Sequence, residues 1–175
     1  MRKGFVEKGA TLVELVILLA IIGMVLSFSV PLWQRDNPKI ILAKEQHRLY
    51  QFLRQIQGRA ENSSEIWFIL VNRHPVTKRW CITAQVKNDK LCDCLQPTAC
   101  PKAVYAHFYH PYFAEKTTII SPKIYPTEAA RFNGIRNTVD SNCFLLQAAE
   151  ERTLFSFFNV GSLKLKPNQS VSACK

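Results

Sequence analysis

The chain has 175 residues, of which 47% are hydrophobic and 21% charged, so it is long enough for one globular domain with an appendage and too apolar for a disordered chain. Its formal charge of +10 points to an anionic partner without choosing between nucleic acid and phospholipid. Six cysteines, all from residue 81 onward, imply disulfides and an oxidising compartment, while 6 glycines and 9 prolines are too few for a low-complexity or collagen-like protein.

Residues 1–9, MRKGFVEKG, are short and basic. They precede ATLVELVILLAIIGMVLSFSVPLW (residues 10–33), where Glu14 is the only charge. Leu15 to Gln34 is an uncharged run. At about 1.5 Å per residue such a helix reaches about 30 Å, the thickness of a bilayer core. The basic flank predicts a single-pass orientation with residues 1–9 in the cytoplasm. A secretory signal peptide cut after Ser29, at Ser27-Phe28-Ser29, is one alternative, and an uncleaved anchor is another. Neither explains Glu14, since a carboxylate at membrane depth costs roughly 2.5–3.5 kcal/mol on insertion scales. Cleavage between Gly9 and Ala10 would give Ala10 an α-amino cation. In a bundle of parallel, axially staggered helices that cation can lie beside Glu14 of a neighbour, and the pair fixes the register.

KGATLVELVILLAIIG resembles the type IV prepilin signal: a glycine, a small or aromatic residue, a glutamate at the fifth mature position and a long apolar helix. The resemblance implies cleavage after Gly9 by a prepilin peptidase and N-methylation of Ala10, with Ala in place of the commoner Phe. The rival Gly4-Phe5 site would put Gly9 at the fifth position and carry Glu7 and Lys8 into the apolar helix. Gly23 and Pro31 stand where the family often has helix-softening residues, although both types are common in membrane helices generally. The implied partners are prepilin peptidase, other major and minor pilins and an inner-membrane assembly platform, with the chain held in the bacterial inner membrane before entering a pilus or pseudopilus.

Pro31 and Pro38 bracket an expected helix break. Beyond it, Leu42, Leu49, Phe52, Leu53, Ile56 and Ala60 recur at three- and four-residue intervals, the apolar face of an amphipathic stem over residues 34–61. Arg35, Lys39, Lys44, Arg48, Arg54 and Arg59 lie largely off that face. From residue 62 to 175 the pattern changes to short β-branched and aromatic runs bounded by turn residues: EIWFILVNR, RWCITAQVK, AVYAHFYH, TTIISPKIY, NCFLLQAA, TLFSFFNV and SLKLK. They predict seven to nine mostly antiparallel strands. The expected fold is therefore α+β, a long N-terminal hydrophobic helix packed as a stem on a mostly antiparallel β-sheet head.

Cys81, Cys92, Cys94, Cys100, Cys143 and Cys174 allow fifteen pairings. Cys81 and Cys92 could face each other across a hairpin, Cys94 and Cys100 could close a short loop, and Cys143 could tie down the C-terminus through Cys174. A zinc set from Cys92, Cys94, Cys100, His107 and His110 lacks convincing spacing, and no metal or other cofactor is expected. FNGIRNT (residues 132–138), FFNVGSLKLK (residues 157–166) and the Trp80-Cys81 pair with Cys92 are similar to the GspH/FimT-type minor pilins, the group of the prepilin peptidase-dependent and competence minor pilins. That resemblance implies a type IV pilus used in DNA uptake, or the related type II secretion pseudopilus. No phosphate loop, nucleophile elbow or metalloprotease helix is present, and His47, His74, His107 and His110 are scattered, so no enzyme is expected. A second functional class is a DNA receptor, with Arg131, Arg136, Lys164, Lys166 and Lys175 as phosphate contacts and Phe155, Phe157 and Phe158 filling the core.

Overall fold

The computed structural model describes residues 11–167 and 169–174, with backbone alone for 28–36 and 171. The helical part of the sequence is divided at Asn37-Pro38. A residue before proline is driven to extended backbone, and Asn37 adopts φ −76°, ψ 114° there. It separates α1 (Leu12–Asp36) from α2 (Pro38–Ser63). Proline is tolerated in the first turn of a helix, so Pro38 opens α2 without cost. Pro31 lies inside α1 and does not end it, so the expected break between Pro31 and Pro38 narrows to Asn37.

The expectation of a long N-terminal hydrophobic helix packed as a stem on a mostly antiparallel β-sheet head is corrected. The chain divides into two compact units, residues 1–37 and 38–175. The helix that packs on the sheets is α2, and there are two antiparallel sheets. The transmembrane helix and the single-pass inner-membrane location are corrected as well. Among the described residues no helix is long and apolar enough to cross a membrane. The described side chains of α1 end at Ser27 and include Glu14.

In the second unit, nine strands occur among the described residues. They are β1 (Ile66–Arg73), β2 (Trp80–Val86), β3 (Ala106–Tyr109), β4 (Thr118–Ile120), β5 (Ala130–Asn133), β6 (Thr138–Val139), β7 (Asn142–Ala148), β8 (Glu151–Phe158) and β9 (Ser162–Pro167). One sheet has the order β3-β2-β1-β5-β6 and the other β4-β7-β8-β9, with every pairing antiparallel. The two short strands β5 and β6 flank the FNGIRNT segment, whose glycine and asparagines make the turn between them.

The three- and four-residue spacing in α2 buries Ile41, Leu42, Leu49, Leu53, Ile56 and Ala60 against both sheets. Trp67, Ile69 and Val71 of β1 meet that stripe from one side, and Phe144, Leu146, Phe155 and Phe157 from the other. Phe144 and Phe155 stack with ring centroids 5.0 Å apart. The first sheet is covered on its far face too. Cys81, Thr83 and Gln85 of β2 point away from α2 yet are fully buried, because residues 87–105 fold back over them. The Gln85 amide donates to Lys90 O at 3.0 Å and its carbonyl accepts from Cys92 N at 2.7 Å. Asn72 donates to Asp93 at 2.7 Å.

This covering segment corrects two of the suggested cysteine pairs. Cys81 bonds Cys94, and Cys92 bonds Cys100, in place of Cys81–Cys92 and Cys94–Cys100. The hairpin reading fails because β2 pairs with β1 and with β3, which begins fourteen residues beyond Cys92, whereas Cys92 itself lies in the loop that covers β2. Cys143 bonds Cys174 and holds the C-terminal turn over Leu145 and Leu154.

Truncation of Leu53, which is 0% exposed in the centre of the α2 stripe, removes contacts to both sheets. Leu53→Ala is expected to cost about 2–5 kcal/mol, read as a lower denaturant midpoint with an unchanged slope.

Candidate functional site

Glu14 stands in the first turn of α1, where its backbone N–H donates to the Thr11 hydroxyl at 3.3 Å. Thr11 is thus the N-cap, and a carboxylate in this turn suits the helix dipole. Around Glu14 the helix is apolar on every side. Leu12, Val13, Leu15, Val16, Ile17, Leu18, Leu19, Ile21, Ile22, Met24, Val25 and Leu26 are all exposed, from 45% to 81%. A helix of that composition is stable in water only when something covers it. Gly23 sits in this surface with no atom of the described residues near where a Cβ would stand, and Ser27 donates its hydroxyl to the Gly23 carbonyl at 2.7 Å. Gly9 and Ala10 lie outside the described residues.

The second unit holds three polar assemblies along α2. Near its start, Glu45 faces the core and is 0% exposed. Its carboxylate accepts from the Tyr109 hydroxyl, from Tyr112 N at 3.1 Å and from Phe113 N at 3.0 Å. Burial, then this hydrogen bond and the carboxylate charge, hold the Tyr109 phenol far above its ordinary range, so it stays a donor.

Farther along α2, Arg59 donates to His107 Nε2 at 2.7 Å and to the Tyr105 hydroxyl at 3.1 Å. A guanidinium only donates, so His107 Nε2 must be the bare nitrogen of a neutral ring. Burial, then the Arg59 charge, lower the His107 pKa. The ring is stacked on Trp67 and met edge-on by Tyr105.

At the end of α2, Gln57 accepts from Arg54 at 2.9 Å and donates to Glu61 at 2.8 Å and to the Gly161 carbonyl at 2.7 Å. Here the two C-terminal sequence motifs come together. Gly134 of FNGIRNT lies against the last carbonyls of α2, so a Cβ there would run into the Ala60 carbonyl and come within 2.8 Å of Glu65 O. Gly161 of FFNVGSLKLK turns with φ +76°, the left-handed region that glycine enters freely, beside Asn137 O.

The chain is 67% identical over 168 residues to an uncharacterized protein of Haemophilus influenzae strain Rd, an alignment covering 96% of this chain and 99% of that one. The chain belongs to that protein's family. No protein-family model matches the chain, and no solved structure matches it.

The five basic residues expected to contact DNA are not equivalent in this family member. Arg131 on β5 is committed to Glu128, with a second contact at 3.3 Å, and lies 3.7 Å from Asp140, while its guanidinium covers the Phe68 ring. Arg136 is in the exposed β5–β6 turn, and Lys164 and Lys166 are exposed on β9, with the Lys164 ammonium 5.5 Å from the Phe158 ring centre. Lys175 lies outside the described residues. Phe155 and Phe157 are buried as core residues and Phe158 is half-buried. Among the described residues, Cys81, Asp93 and Cys94 bring possible metal ligands together, but the two sulfurs are bonded to each other and offer no thiolate. Sequence reasoning missed Glu45, Gln57 and the Arg59–His107 pair. Glu45 and Gln57 could have been found from their place within the apolar stripe of α2, where an unaccompanied polar residue implies a buried partner.

Gly134→Ala forces backbone apart from backbone and is expected to lower stability by about 2 kcal/mol or more, a loss visible as a lower melting temperature. The His107 pKa is depressed in the fold, so its contribution is complete above the unfolded value of about 6.5 and declines as pH falls through the folded value. Titration of the unfolding midpoint below pH 6.5 is expected to show this loss, and His107→Gln is expected to flatten that part of the profile.

Proposed function

We propose that the chain is a minor pilin or pseudopilin: a subunit processed by prepilin peptidase after Gly9, methylated at Ala10, and used to prime or enter a type IV pilus of the DNA-uptake kind. The observation that carries this reading is the surface of α1, apolar all round and interrupted by one carboxylate. Like helices of neighbouring subunits supply a cover of the right shape, with side chains from several copies enclosing each helix. In that dry interior Glu14 needs a cation, and the freed α-amino group of Ala10 in an adjacent subunit is available at a fixed axial offset. A carboxylate left alone there costs roughly 2.5–3.5 kcal/mol even on the mildest scales, so the pairing rejects wrong registers.

The second unit supports the same reading in a different way. It is a disulfide-held body that would ride on the fibre as cargo or contact surface. The partners in this proposal are prepilin peptidase, other major and minor pilins and an assembly platform in the inner membrane. A type II secretion pseudopilus would use the same subunit chemistry. Direct DNA contact by the head is weakened by the carboxylates already engaged by Arg131.

Two measurements test the proposal. Intact-mass analysis of the protein from its own cells is expected to show loss of residues 1–9 and gain of one methyl group; a chain that keeps those residues in cells with working fibres overturns it. Glu14→Ala is expected to leave the head folded and to remove the subunit from fibres, and wild-type incorporation would refute the register argument.

A further inference from the structure

The loop after β3 is pinned to α2 by the buried Glu45, and this fixes an open groove on the outer side of the helix. Tyr112 and Phe113 receive their positions from the two backbone N–H groups that Glu45 accepts. Opposite them, Ile40 and Ala43 of α2 complete an apolar floor, and the open hollow these residues line measures about 650 Å³. Tyr112 is 75% exposed, an unusual state for an aromatic side chain anchored so firmly at its backbone.

The rim has a single sign. Lys44, His47 and Arg48 edge the cavity, and none of the described lining residues is acidic. These three share one helix face, because positions three and four apart are neighbours. The Arg48 guanidinium stands 5.4 Å from the centre of the Tyr112 ring, which orients it at the mouth of the cavity.

The groove also has length. His47 and Arg48 form one wall of a second cavity of about 580 Å³, which runs on past Gln51, Phe52 and Gln55. From Ile40 to Gln55 the two cavities follow α2 for about 22 Å, or about four helical turns. A compact small molecule would fill one cavity and leave the other empty. A helix lying alongside α2 would use both, placing apolar anchors at i, i+3, i+4 and i+7 on the floor and carboxylates against the rim.

We propose that this groove is the docking site for an acidic amphipathic helix of a partner protein. A second copy of the chain does not meet the specification with either of its described helices. α1 is apolar all round with one carboxylate, and α2 carries Lys39, Lys44, Arg48, Arg54 and Arg59 against Glu45 and Glu61. Charge on the rim would steer the partner and set its direction along α2, while the aromatic floor supplies most of the holding energy.

The test uses the full chain in nonionic detergent and a labelled synthetic helix with leucine on one face and glutamate on the other, read by fluorescence anisotropy. The matched peptide with lysine in place of glutamate is the control. The glutamate peptide is expected to bind, more weakly as salt rises, and the lysine peptide at least tenfold less tightly. Lys44→Glu with Arg48→Glu is expected to reverse that order. Tyr112→Ala, which removes an exposed ring that meets Arg48 and Phe113, is expected to weaken the glutamate peptide about tenfold with circular dichroism unchanged. Equal binding of the two peptides, or indifference to these variants, overturns the proposal. Stoichiometric displacement by dodecanoate would make the groove a small-amphiphile pocket, and a drop in oligomeric mass on Lys44→Glu with Arg48→Glu would make it a self-association surface; both outcomes also overturn it.

Discussion

The seating of α2 between the two sheets is the constraint from which the rest of the second unit follows. Its apolar stripe faces both sheets at once, and polar contacts fix the helix lengthwise. Glu45 near one end binds the loop after β3, and Gln57 toward the other binds the β8–β9 turn. Between these points Leu49, Leu53 and Ile56 are almost wholly enclosed. A buried carboxylate without partners would be strongly destabilising, and here three donors satisfy it. The same contacts that remove this penalty set the positions of Tyr112 and Phe113, so core energetics and surface shape are linked through a single side chain. Close backbone approach at Gly134 completes the seating, because the last turn of α2 leaves no room for a methyl group.

Much of this was legible in the sequence, and the failures have identifiable causes. The three- and four-residue spacing located the buried face of α2 because burial of a helix leaves a periodic record. Alternating β-branched and aromatic runs located most of the strands, yet TTIISPKIY yields only the three-residue β4, since Pro122 stops the ladder. The strands β5 and β6 are short and were visible only as the motif around their turn. Division into two sheets left no local signal, because strand order is fixed by contacts between distant segments. The cysteine pairs were under-determined for the same reason: a loop that lies flat over β2 and a hairpin that extends it share one spacing. For α1, the uncharged run from Leu15 to Gln34 suggested a membrane span, whereas among the described residues no helix is long and apolar enough to cross one.

Of the candidate sites, the N-terminal one was the most readable, since a lone glutamate in an apolar helix is conspicuous in one dimension. The groove along α2 was not. Lys44 and Arg48 read as ordinary solvated side chains, and only folding brings Tyr112, sixty-odd residues later, to face them. The Arg59–His107 contact likewise joins residues whose separation of 48 positions conceals their pairing.

The three disulfides share a feature of placement. None joins one sheet to the other, and none touches α2. Cys81–Cys94 fastens residues 92–100 over the outer face of the first sheet, Cys92–Cys100 closes that segment on itself, and the third fastens the C-terminal turn over the outer face of the second. Reducing agents would therefore loosen two outer coverings and wet Thr83, Gln85, Leu145 and Leu154, while the helix and its sheets stay assembled. Disulfide formation thus acts on this molecule as a fastener of its skin, while its skeleton holds together by apolar contact and hydrogen bonds without a covalent tie.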